Sequence, residues 1–175
     1  MTPQVRRALP SDSQPILRLL QPYVLRGELL PRTLSEVSWS IDSWVVAQEG
    51  ETILGCGSLV AYTGELSEVR SLAVAADRRG QGIGQAITDK LIDVARQQGV
   101  LRLFALTRAV PFFLQAGFER VDMREIPEKV WRDCAPCPLR DRCDEHPVIL
   151  VLSNTPAGRV PLAAGRRGVN PHAST

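Results

Sequence analysis

The chain has 175 residues, a formal charge of +2, 44% hydrophobic and 23% charged residues. That length fits one globular domain and leaves no room for a second full-sized one, and the composition excludes a mainly disordered chain. The near-balance of 21 Lys and Arg against 19 Asp and Glu gives no electrostatic case for a nucleic-acid partner. No apolar run approaches the ~20 residues that cross a bilayer, and Met1–Pro10 lacks the apolar core of a secretory signal. The expectation is a cytoplasmic protein that acts on small molecules, with neither nucleic acid nor membrane as partner.

Gln4–Ala8 reads as a short first strand. Ser11 to Gln14 reads as a capping box, and Ile16, Leu17, Leu19, Leu20 and Val24 follow at helical spacing. Pro22 is expected to kink or shorten that helix. A loop through Gly27 and Pro31 leads to a short helix around Leu34–Ile41. Trp44–Gln48 and Thr52–Ala61 form a hairpin across Glu49-Gly50-Glu51, and Glu65–Val74 adds another strand. Their short connections make these strands antiparallel. Cys56, alone in an apolar segment, is read as a small buried hydrophobe.

The pattern changes after Val74. A loop runs into a long helix, Gly82–Gln97, with Ile83, Ile87, Leu91 and Val94 as its buried stripe and Gly99 as its stop. Leu101–Leu106 is an apolar strand suited to a sheet centre. Pro111–Gln115 is a short helix ended by Gly117, a strand begins at Phe118, and Val148–Leu152 is the last strand. Cys134, Cys137 and Cys143 fall within ten residues of one another, with His146 nearby. Three thiols cannot all pair, and two readings stay open: zinc ligands, or reduced thiols under a loop. Gly158–Thr175 has no apolar periodicity. The domain is therefore placed at residues 1–152 and a flexible tail at 153–175.

The segment richest in chemistry is Arg79-Gly80-Gln81-Gly82-Ile83-Gly84, between a strand and the long helix. Glycines allow close backbone approach, and the free N–H groups of a helix start with its dipole make an anion site. Arg78 and Arg79 add positive charge. A phosphate-bearing ligand follows from these residue types. The triphosphate loop is excluded because no Gly-Lys-Ser/Thr follows, and the dinucleotide fingerprint has a different glycine spacing.

The order Arg79-x-x-Gly82-x-Gly84 after Leu72-Ala73-Val74 resembles the acyl-CoA motif of the GNAT superfamily of N-acetyltransferases. The element order from Val5 to Leu152 is similar to that superfamily as well. This resemblance implies an α/β (α+β) fold. Its central sheet would be mixed, mostly antiparallel and flanked by helices, and a bulge in the acyl-CoA strand would splay it from Leu101–Leu106 and open a V-shaped slot. Acetyl-CoA would be the co-substrate, its pyrophosphate held by the backbone of Arg79, Gly80, Gln81, Gly82, Ile83 and Gly84. The backbone of Leu72, Ala73 and Val74 would line the pantetheine arm, with Phe113 and Phe112 either walling that arm or packing in the core, core packing being the safer reading. A homodimer is compatible with the same resemblance.

Five segments carry a narrower resemblance, to the acetyltransferase domain of N-acetylglutamate synthases. They are Gly27–Thr33, Ser67–Val74, Leu103–Thr107, Pro111–Phe113 with Gly117-Phe118, and Ile126–Trp131. It implies acetyl transfer to the α-amine of glutamate, the first step of arginine biosynthesis, in a short form without the regulatory kinase-like domain. An amine of pKa ~8 is mostly protonated at pH 7, so a general base helps by ~10²–10⁴-fold. Glu68 is the candidate base, and Thr107 a second catalytic candidate that orients the amine or protonates the leaving thiolate. A backbone N–H near Leu72 is placed at the developing oxyanion. Two carboxylates call for guanidinium partners: Arg32 first, and Arg70 second, because strand alternation puts it on the face of Leu72 and Val74. Lys129 and Arg132 lie in a segment expected to close over the substrate. Transfer to another small amine or a peptide N-terminus, and a non-catalytic CoA sensor, are the alternatives.

Overall fold

A computed structural model of the chain describes residues 3–152; the tail placed at 153–175 lies outside the described residues. Strands β1 (Gln4–Arg7), β2 (Trp44–Glu49), β3 (Thr52–Ala61), β4 (Leu66–Val74), β5 (Arg102–Thr107), β6 (Glu119–Arg120) and β7 (His146–Val151) form one open sheet. Its order is β1-β2-β3-β4-β5-β7-β6. Every pairing is antiparallel except β4 with β5. Helices α1 (Ser13–Leu25), α2 (Leu34–Trp39), α3 (Ile83–Gln97), α4 (Val110–Gln115) and α5 (Pro127–Lys129) flank it, and α5 runs on as a π turn over Val130–Cys134. Pro22 sits inside α1, which runs on to Leu25, so it does not end the helix.

The two faces of the sheet carry separate cores. Ile83, Ile87, Leu91 and Val94 of α3 pack on Val45, Leu54, Leu59, Val69 and Leu103. Ile16 and Leu20 of α1 and Val37 of α2 cover Trp44, Val46, Cys56 and Ala73 on the other face. Cys56 is fully buried, as an apolar residue would be, and burial pushes its thiol pKa well up. Leu66, Phe104, Ile126 and Ile149 make a smaller cluster beneath α5.

Two features of β4 set up the site. Its pairing with β5 covers only Leu66–Glu68 against Arg102–Phe104, although both strands run on. The strands therefore splay beyond Glu68, as the resemblance implied. The second feature is a bulge. Cys56 pairs with Ala73 but Ser58 with Arg70, so β4 holds one residue more than β3 across this stretch. Ser71 takes a left-handed φ of 55°, and Gly57 stands opposite. A Cβ at Gly57 would lie 2.9 Å from Leu91 Cδ1 and 3.3 Å from Leu72 Cδ1, so any larger residue there would push Leu91 aside.

The bulge overturns one expectation. Val69, Leu72 and Val74 pack towards α3, while Ala73 belongs to the opposite face. Arg70 shares its face with Glu68, not with Leu72 and Val74 as simple alternation predicted. An extra residue in a strand inverts every later side chain.

Candidate active site

Past the bulge, Ala75 N–H donates to Leu54 O of β3 (2.8 Å). Alternate peptide groups of an extended strand point to opposite edges, so those of Leu72 and Val74 point into the gap beside β5. At Val74 they meet α1: the Tyr23 hydroxyl donates to Val74 O, and Val74 N–H donates to Tyr23 Oη (3.3 Å). Of the three residues assigned to the pantetheine arm, Leu72 and Val74 thus turn backbone groups towards the gap, whereas Ala73 pairs with Cys56 of β3.

The glycine loop follows. Gly80 and Gly82 have φ of 75° and 78°, and Gly82 precedes α3 directly. The first helical bond across this junction runs from Ala86 N–H to Gly82 O (3.0 Å). The N–H groups of the first turn consequently have no acceptor inside the helix and are open to an anion. Ile83 is buried and anchors the turn, while Arg79, Gly80 and Gln81 are exposed. Arg78 is held by Glu49 (2.9 Å), and Arg79 stacks 5.2 Å from the Tyr23 ring centroid. A Cβ at Gly84 would lie 3.4 Å from Phe112 Cε2. Phe112 is therefore the ring beside the loop. Phe113, the other ring considered for the CoA arm, packs in the main core against Phe118 instead. In a six-residue helix adjacent rings point apart, and only one can face the cleft.

At the other end of the splay is a buried charge cluster. Glu68, 3% exposed, accepts at Oε2 from Arg70 Nε (2.8 Å), Arg70 Nη2 (2.5 Å) and the Tyr62 hydroxyl (2.8 Å). Lys129 Nζ lies 3.1 Å from both Glu68 oxygens. Asp133 closes the cluster: its Oδ2 accepts from Lys129 Nζ (3.1 Å) and from Arg70 Nη2, and it shares the single Tyr62 hydroxyl proton with Glu68. Burial disfavours its ionised form, but these three bonds outweigh burial and hold the carboxyl far below the usual range. For Arg70, burial opposes the charge, yet the Glu68 carboxylate more than compensates and its pKa rises. Burial beside two carboxylates pushes the Tyr62 phenol up. Arg132 borders the cluster, stacked 3.5 Å over Tyr62 and donating to Asp133 Oδ1 (3.2 Å) and to Ala61 O (2.9 Å).

Arg32 reaches the same place from the α1–α2 loop. Thr33 caps α2, its Oγ1 accepting from Glu36 N–H (3.2 Å) while its N–H donates to Glu36 Oε2 (2.6 Å). That box fixes the residue just before it. Arg32 Nε is buried without a hydrogen-bond partner among the described residues. Burial first, and the nearby charge of Arg70 second, lower the Arg32 pKa. Arg32 also lines a cavity of about 260 Å³ with Val37, Trp44 and Ser58. Arg32, Arg70 and Lys129 are thus brought together with Glu68. Thr107, at the end of β5, is 8% exposed, and its Oγ1 accepts from Ala109 N–H (2.9 Å), leaving its proton free to donate.

Sequence reading missed four residues. Tyr23 and Tyr62 leave no signal of their own, since each is a lone aromatic. Asp133 lies four residues after Lys129 on one helical turn, a spacing that does mark a pair. Glu145, before β7, is half-buried; burial raises its carboxyl pKa although Arg108 and Lys129 pull it down. Cys134, Cys137 and Cys143 are free thiols. No group of three or more His, Cys, Asp or Glu among the described residues is arranged to hold a metal ion.

Residues 15–118 match the Acetyltransferase (GNAT) family. An uncharacterized N-acetyltransferase of Chlorobaculum tepidum, CT2212, is 34% identical over 148 residues, 85% of this chain and 96% of that protein. The amino-acid acetyltransferase of Escherichia coli K12 is 32% identical over 127 residues, 71% of this chain but only 29% of that enzyme. Among solved structures, Rv2747 of Mycobacterium tuberculosis in complex with CoA superposes with a TM-score of 0.72 at 28% identity, over 86% of this chain and 100% of that one. N-acetylglutamate synthase of Neisseria gonorrhoeae, complexed with coenzyme A and N-acetyl-glutamate, gives 0.75 at 25% identity, over 87% of this chain and 36% of that one. The family match over residues 15–118 and the 34% identical relative show that the chain belongs to the GNAT acetyltransferase family.

Proposed function

We propose that the chain transfers the acetyl group of acetyl-CoA to the α-amino group of an acidic amino acid, glutamate. The observation that supports this reading best is the layout along β4. Cations Arg32, Arg70 and Lys129 gather where the β4–β5 pairing ends, and the anion-binding loop begins at the far end of the same strand. A pyrophosphate at Gly80–Gly84 and a dicarboxylate at the cations leave the thioester in the slot between. The amine attacks the thioester carbonyl, a C–N bond forms, the C–S bond breaks, and the amine's proton passes to a base. Glu68 is the base through Oε1, the oxygen with Lys129 as its one close donor. Thr107 donates towards the departing thiolate. The relatives named above as amino-acid acetyltransferase and N-acetylglutamate synthase support the same acceptor class.

The test is CoA release by the full chain with acetyl-CoA and single acceptors: glutamate, glutamine, neutral amino acids, other small amines and a short peptide. Glutamate is expected to turn over fastest and to yield N-acetylglutamate by mass spectrometry. Silence with glutamate and turnover with another amine would move the acceptor, and acetyl-CoA binding without any turnover would leave a sensor.

A further inference from the structure

The position of Asp133 bears on how acceptors are chosen. Its Oδ2 receives two cations, Arg70 and Lys129, together with the Tyr62 hydroxyl, and its Oδ1 receives Arg132 Nε (3.2 Å). Arg70 and Lys129 are the groups that an acceptor's second carboxylate would need, so a carboxylate of the protein already sits where a substrate carboxylate fits. Arg70, Lys129 and Arg132 share the charges of Glu68 and Asp133, whereas Arg32 Nε has no partner among the described residues. The closed cluster therefore has room for one carboxylate, at Arg32.

We propose that Asp133 is a specificity-determining surrogate ligand, which the side-chain carboxylate of the acceptor displaces from Arg70 and Lys129. This rests on the reading of the site as one for a dicarboxylic amino acid. The exchange of one carboxylate for another keeps both cations paired, whereas a neutral side chain would leave them facing an uncharged group in a buried site. Asp133 is able to leave. Its side chain is 29% exposed, and it sits on a π turn, a rare helical form, beside the exposed Trp131. Lys129, by contrast, is 7% exposed and anchored next to the fully buried Ile126, so the cations stay while the carboxylate moves. Discrimination follows from the displacement. With Asp133 displaced, Glu68 alone faces Arg70 and Lys129, so an acceptor that cannot replace the Asp133 charge binds against one uncompensated cation, and an acceptor that can replace it does not.

The experiment compares wild-type protein with Asp133→Asn, which keeps the shape and removes the charge, using glutamate and glutamine as acceptors. The KM for glutamate is expected to fall about tenfold with kcat within twofold, as when a competing closed state is removed. The preference for glutamate over glutamine should rise. A purely structural Asp133 predicts the reverse, a higher KM for both acceptors, and that result or an unchanged KM overturns the proposal. Asp133→Ser, which retains a hydroxyl near Tyr62, is the second variant, and thermal melting checks that both fold. A third measurement uses no variant and no turnover. Hydrogen exchange of the wild-type amides at 130–135 should speed up when glutarate saturates the site, and slower or unchanged exchange overturns the displacement. Because glutarate has no amine, this arm decides the role of Asp133 even if glutamate is not acetylated.

Discussion

Two carboxylates compete for the role of base, and their surroundings differ. Glu68 is buried on the central strand and accepts three hydrogen bonds at Oε2 from Arg70 and Tyr62, so it takes a proton only through Oε1 or after a donor turns away. Glu145 is half-buried, has a raised pKa, and its one bond is a long one from Arg108 (3.5 Å). Proximity to the splay favours Glu68, and Glu68→Gln is expected to cost about 10²-fold in kcat at neutral pH with little change in the KM for acetyl-CoA. The same assay on Glu145→Gln should stay within a few-fold. A reversed pair of results makes Glu145 the base. Arg32 gives a binding prediction at the same scale. Its buried guanidinium has no competing partner, so Arg32→Ala should raise the glutamate KM by about 10–100-fold, the value of one charge-assisted contact, and leave acetyl-CoA binding intact.

Secondary structure was largely legible because patterning and breakers agree. Thr52–Ala61 appears as expected, the long helix starts one residue later than expected, and the last strand is shifted by two residues at its start. The glycine loop was legible too, since anion binding at a helix start depends on local backbone alone. The face of Arg70 was not. The resemblance implied a bulge in Ser-Glu-Val-Arg-Ser-Leu-Ala-Val, but nothing local marks its position, which is set at Ser71 opposite Gly57 of the neighbouring strand. Asp133 and Tyr62 escaped for a similar reason, as only tertiary packing brings residues 62, 68, 70, 129 and 133 together. The bulge can be tested. A β-branched side chain at the left-handed φ of Ser71 costs about 1–3 kcal/mol and pulls the strand towards regular register. Ser71→Val should lower Tm by several degrees and abolish most of kcat/KM by turning the chain after Arg70, whereas Ser71→Gly should spare both.

For the molecule as a whole, acid sensitivity follows from carboxylates that bind cations far apart in the fold. Asp12 ties the edge strand β1 to the start of α1: it accepts from Arg6 Nη1 (2.6 Å), Arg6 Nη2 (3.1 Å) and Leu9 N–H (2.7 Å). Burial opposes its charge, but the bonds from Arg6 and Leu9 prevail and its pKa is lowered. Asp133 is lowered in the same sense within the site. A depressed carboxyl stabilises the fold fully above the unfolded value of ~3.9 and loses that contribution as pH falls towards the folded value. Glu145 has the opposite sign: raised, it costs stability as pH climbs past the unfolded value of ~4.3, so its protonation favours the fold on the acid side. The two effects fall in different windows, and below about pH 4 only the aspartates act. The urea midpoint should therefore decline steeply between about pH 4 and pH 2. Asp12→Asn should flatten that limb without touching kcat at neutral pH, since Asp12 lies at the sheet edge opposite β5. A wild-type midpoint that stays level down to pH 2 would mean that neither ion pair contributes to holding the fold together.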